Sequence, residues 1–117
     1  MNQKQQTFEQ VFQEIFKEAF TLLINRQEKY GSANISQLGL YGVINRIASD
    51  KSSRILHAMN GSVIAGRVHL EDFEAHADET IEDALLDIAN YALIAIALKR
   101  GKWGAPLERD VHEADKA

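Results

Sequence analysis

The stretch ALLDIANYALIAIAL, residues 84 to 98, constrains the fold of this chain more than any other. It holds neither glycine nor proline, and apart from Asp87, Asn90 and Tyr91 every position is aliphatic. Such a run reads as a helix, and a helix apolar on all sides has to be covered. In a small chain this predicts burial in an oligomeric helical bundle. The interruptions at Asp87 and Asn90 leave it short of the roughly 18 to 20 clean residues that a membrane span needs. Asp87, set between Leu86 and Ile88, is the anomaly, because an unpaired buried carboxylate is costly.

The acids ahead of the run sharpen the point. Asp78 is placed to cap a helix from about 79 to 100, which Lys99, Arg100 and then Gly101 end. Glu79, Asp83 and Asp87 are each four residues apart, with Tyr91 the next step, Glu82 on the flank and Asn90 between them. Like charges at that spacing repel by a few tenths of a kcal/mol per pair. With no Lys or Arg on this helix before Lys99, compensation has to come from another helix or a bound cation. Glu79 and Glu82 read equally well as complements of the helix dipole or as functional acids. For Asp87 the functional reading is the stronger. Carboxylates gathered without His or Cys suit Mg²⁺ or Mn²⁺ rather than zinc.

Two further helices are expected. Phe8, Val11, Phe12, Ile15, Phe16, Ala19, Leu22 and Leu23 mark one from about 5 to 29, ended by Tyr30-Gly31. Near its end Arg26 and Lys29 either meet an anion or offset the dipole, and Glu14 and Glu18 read as solvated surface. GSANISQLGLYG, residues 31 to 42, reads as a loop that leads into a helix from about 38 to 60. That helix carries Arg46, Asp50 and Arg54 four apart, with Lys51 beside them. Alone they form a salt-bridge ladder of perhaps 0.3 to 0.5 kcal/mol per pair. Facing the acidic stripe, Asp50 would complete a metal site while Arg46, Lys51 and Arg54 neutralise phosphates. Residues 62 to 76 show no durable period and are expected to be an irregular or hairpin excursion, with a helical turn around Glu71 to Ala75 as the other option. The tail from 105 to 117 is polar and is expected to fray or form one loose turn. The fold class is therefore all-α, a single domain over residues 4 to 104.

Composition removes several functions. There is no cysteine, so thiol chemistry and thiolate metal sites are excluded. A net charge of -4 supplies no overall field for a nucleic-acid polymer. The first ten residues lack a basic flank followed by an apolar stretch, and a cytoplasmic setting is expected. His57, His69, His76 and His112 share no ligand spacing, and no glycine-rich phosphate loop or nucleophile motif is present. Trp103 is expected to pack the end of the third helix, or to stack on a base.

KYGSANISQLGLYGVINRIASDKSSRI followed by ETIEDALLDIANYALIAIAL resembles the nucleotide modification associated domain 1 family, a phage and bacterial group placed with the MazG-like all-α nucleoside triphosphate pyrophosphatases. The resemblance covers roughly residues 8 to 104. It rests on Tyr30-Gly31, on Arg46 to Arg54 and on Glu82 to Tyr91. It implies a dimeric or tetrameric helical domain whose acidic helices hold Mg²⁺ and which cleaves a possibly modified nucleoside triphosphate to monophosphate and pyrophosphate. Carried over, Asp50, Glu79, Asp83 and Asp87 are the metal candidates. Asp87, Asp83 and Glu82 are the catalytic ones, and Arg46, Lys51, Arg54, Tyr91, Lys29 and Tyr30 bind substrate. The superfamily's acidic pattern is kept in part: the second helix offers only Asp50, and Ala84 stands three residues before Asp87. Two other expectations stay open, a nucleotide-sequestering module without turnover and a purely structural helical oligomer.

Overall fold

The computed structural model describes residues 5–61, 63–64, 67–68 and 81–115. Helix α1 spans Phe8–Tyr30. Its start is fixed by a reciprocal capping box: the Gln10 amide donates to Thr7 Oγ1 at 3.2 Å, and the Thr7 amide donates to Gln10 Oε1 at 2.9 Å. At the other end the Gly31 amide donates to the Gln27 carbonyl at 2.9 Å, the expected stop.

Helix α2 spans Ala33–Asn45, which corrects the expectation of a loop over residues 31 to 42. The turn-forming residues there are held helical by packing. Ile35 and Leu38, three apart, lie against a buried cluster of Val43, Ile94 and Ala95, as do Leu23, Tyr91, Leu98 and Trp103. The turn chemistry appears at one point only. Gly39 breaks α2 with φ 67° and ψ -179°, a conformation reached almost solely by glycine.

From Arg46 to Lys51 the chain forms a π turn and then continues as α3, Ser52–Gly61. The wider register is closed by Ser52, whose amide and hydroxyl both donate to the Ile47 carbonyl, the hydroxyl at 2.8 Å. Within the expected excursion, strand β1, Val63–Ile64, pairs antiparallel with β2, Arg67–Val68, in a two-residue hairpin. The turn expected around Glu71 to Ala75, the Asp78 cap, Glu79, His69 and His76 lie outside the described residues.

Helix α4, Ile81–Lys99, is the apolar run. It ends as the sequence predicts: the Gly101 amide donates to the Leu98 carbonyl at 3.1 Å and the Lys102 amide to the Ala97 carbonyl at 2.8 Å. This is a Schellman closure with Gly101 at φ 67°. Trp103 then packs back, its indole N–H donating to the Ser32 carbonyl at 3.1 Å. The tail is more ordered than expected, since Glu108–Asp115 forms a helix, α5, of eight residues. Helix α4 is the centre of the described fold, in contact with α1, α2, the π turn and α3. No helix among the described residues is long and apolar enough to cross a membrane.

Candidate functional site

Asp87 is only 6% exposed, and its charge is met from two directions. Arg26, from the last turns of α1, donates to one carboxylate oxygen. Lys51, the final residue of the π turn, donates to the other at 3.0 Å. A single acid on α4 therefore ties together two other parts of the chain. The sequence demands cationic compensation from elsewhere, and it comes from protein side chains.

The π turn decides which basic residues face Asp87. On an α-helix, residues three and four apart share a face, which groups Arg46 with Asp50 and Arg54. In the π turn hydrogen bonds close over five residues, so Arg46 and Lys51 come to the same side. Both line one cavity with Asp87. Arg46 donates to the Tyr91 hydroxyl at 3.3 Å. Asp50 and Arg54 form their own i,i+4 pair at 2.9 Å with both side chains largely exposed, the modest ladder that the spacing alone predicts.

The cavity has a volume of about 600 Å³, within the range of small-molecule sites. Among the described residues its basic side chains are Arg26, Arg46 and Lys51, and Asp87 is its acid. Tyr30, Tyr91 and Trp103 supply aromatic surface, Gln27, Asn34, Gln37 and Asn90 supply amides, and Leu23, Ile35, Leu38 and Ile94 supply the apolar wall. The expected substrate-binding residues Arg46, Lys51, Tyr91 and Tyr30 are thus brought together. Arg54 and Lys29 are outside the lining. Lys29 instead lies 5.1 Å from the centre of the Tyr30 ring.

The acids do not assemble in the same way. Glu82 and Asp83 are exposed on α4 and do not line the cavity. Asp50 is held by Arg54, and both oxygens of Asp87 by cations. Among the described residues no three His, Cys, Asp or Glu side chains converge as metal ligands. As arranged, Asp50 and Asp87 are engaged by cations, whereas a carboxylate-bound Mg²⁺ needs free oxygen ligands; Glu79, a further metal candidate, lies outside the described residues.

Several lining residues were hidden from the sequence. Gln27 precedes and Asn34 and Gln37 lie within the stretch expected to be a loop, where amides look like ordinary solvated polar groups. The apolar Ile35 and Leu38 beside Asn34 and Gln37, at helical spacing, are the signal that could have placed those two. Comparison with protein-family models, curated proteins and solved structures gives no match, so the family resemblance stands on the quoted motifs alone.

Proposed function

We propose that this chain binds a nucleoside phosphate in the cavity between α1, α2, the π turn and α4. The observation that carries the reading is the charge of the lining among the described residues, three basic side chains against one carboxylate, in a pocket that also offers aromatic rings and amides. Arg46, whose recorded partner is the neutral Tyr91 hydroxyl, is the primary phosphate ligand. Arg26 and Lys51 are shared between Asp87 and the anion. Tyr30 and Trp103 offer surfaces for the base. Titration calorimetry with nucleoside mono- and triphosphates and with inorganic phosphate tests this. Saturable binding that weakens with salt, and about tenfold further in Arg46→Ala, is the expected result. No binding by any of these probes overturns it.

Hydrolysis to monophosphate and pyrophosphate with Mg²⁺, the reaction the resemblance implies, is the second reading. It is favoured by the position of Asp87 among the phosphate-binding cations. Incubation of triphosphates with protein and Mg²⁺, with products resolved, separates the two. Pyrophosphate release by the unmodified protein, lost in an Asp87→Ala variant that circular dichroism shows to be folded, supports the enzyme, whereas binding without product supports a sequestering module.

The same reading includes self-association. Phe8, Phe12, Phe16 and Phe20 stand four apart along α1 and are 40 to 74% exposed, with Phe8 and Phe12 rings 4.6 Å apart. Leu85, Leu93 and Ile96 are exposed on α4. The radius of gyration, 18.1 Å, exceeds the about 13 Å expected of a compact domain of this length. A second copy, carrying the same ladder, is the occupant that would cover these faces.

A further inference from the structure

Asn90 is 3% exposed and lines the cavity, yet its amide is only half used. Its Nδ2 donates to the Ala19 carbonyl at 3.0 Å, while Oδ1 is buried with no hydrogen-bond partner. The orientation is fixed, because turning the amide over would set Oδ1 against the Ala19 carbonyl, acceptor to acceptor. Buried polar atoms in native proteins are nearly always satisfied, so an unpartnered acceptor on a residue of the cavity wall points to a donor brought by a ligand. The neighbouring Leu23 and Ile94 side chains cannot supply one, and Arg26 is engaged at Asp87.

We propose that Asn90 accepts a hydrogen bond from the 3′-hydroxyl of the bound nucleotide and so distinguishes nucleotides that carry that hydroxyl from those that lack it. The proposal rests on the nucleotide reading of the cavity and adds the group recognised. Asn90 is three residues beyond Asp87 on α4, so the two lie side by side on one face, about 5 to 6 Å apart at Cβ. A phosphate held by Arg46 and shared with Arg26 and Lys51 therefore stands about one helical turn from Oδ1. In a nucleoside 5′-phosphate the donors nearest the phosphate are the sugar hydroxyls, and the amino and imino groups of the base lie beyond them. A site built to accept from a hydroxyl rejects the analogue without it far more strongly than apolar contact alone allows, since the acceptor is then left unpaired.

The test is calorimetric titration of the full chain with the 5′-monophosphates of the common deoxynucleosides, their 2′,3′-dideoxy counterparts and inorganic phosphate. The unmodified protein is expected to bind the best deoxynucleotide about tenfold or more tightly than its dideoxy counterpart. In Asn90→Leu, which keeps the side-chain shape and removes the acceptor, that ratio is expected to fall to near one. Because the comparison in the unmodified chain needs no variant, it decides the matter even where Asn90→Leu does not fold. Equal affinity for deoxy and dideoxy forms overturns the role of Asn90 while leaving the nucleotide reading intact. Binding of phosphate but of no nucleotide, or of nothing at all, overturns both.

Discussion

Asp87 and Asp50 are both aspartates on helices, and the sequence offers both as metal ligands. Their environments separate them. Asp87 is buried against Arg26 and Lys51, whereas Asp50 shares an exposed pair with Arg54. Removing Asp87 takes away a buried carboxylate that joins two cations to α4, so Asp87→Ala is expected to lower stability by about 2 to 4 kcal/mol in urea denaturation. Asp50→Ala is expected to change it by less than about 0.5 kcal/mol. Equal effects would show that the Asp87 pairs contribute no more than a surface ladder. The buried position of Asp87 was legible from Leu86 and Ile88 on either side. That of Asn90 was not, because a polar residue beside a row of acids reads as one more point on a polar face.

At the level of elements, the glycine stops of the two long helices were legible, and the start of α2 and the interruptions were not. Gly31 and Gly101 close α1 and α4 where local chemistry predicts. Gly39 and the π turn depend on how α2 and its continuation must bend to seat Val43 in the core and carry Lys51 to Asp87. A Cβ at Gly39 would touch nothing within 4 Å, so Gly39→Ala isolates the backbone cost, expected at about 1 to 3 kcal/mol in thermal or urea unfolding. The π turn carries a second prediction. Deleting exposed Ala48 leaves Lys51 four residues after Arg46, still on one side of an ordinary α-helix, and is expected to shift stability by no more than about 1 kcal/mol and to retain phosphate binding. Deleting exposed Ala89 from α4 turns Asn90 and all that follows by about 100° relative to Asp87, and is expected to abolish folding by circular dichroism. Loss of the fold in both deletions would remove the special status of residues 46 to 51.

For the whole molecule, the described core is small. Its buried apolar residues are Ala19, Val43, Ala84, Ile94 and Ala95, and only Val43 is fully enclosed. The aromatic ladder of α1 remains outside it. If a second copy covers that ladder, light scattering behind a sizing column gives a mass of at least twice 13.1 kDa, and the melting temperature rises with protein concentration. The double substitution Phe12→Glu with Phe16→Glu is expected to give monomer and remove the concentration dependence. A wild-type monomer at micromolar concentration would sink the proposal.

The sequence by itself determined the all-α class, the glycine stops of the two long helices and the need for cations around Asp87, because periodicity, capping and the cost of a bare buried charge are local or one-body properties. Tertiary structure alone decided which cations answer that need. Register is set by packing, and a π turn of one extra residue exchanged the expected Arg46, Asp50, Arg54 stripe for Arg46 and Lys51. It also decided that Asn90 would be left with an unused acceptor, since the approach of α1 brings the Ala19 carbonyl to the amide nitrogen and no donor to Oδ1.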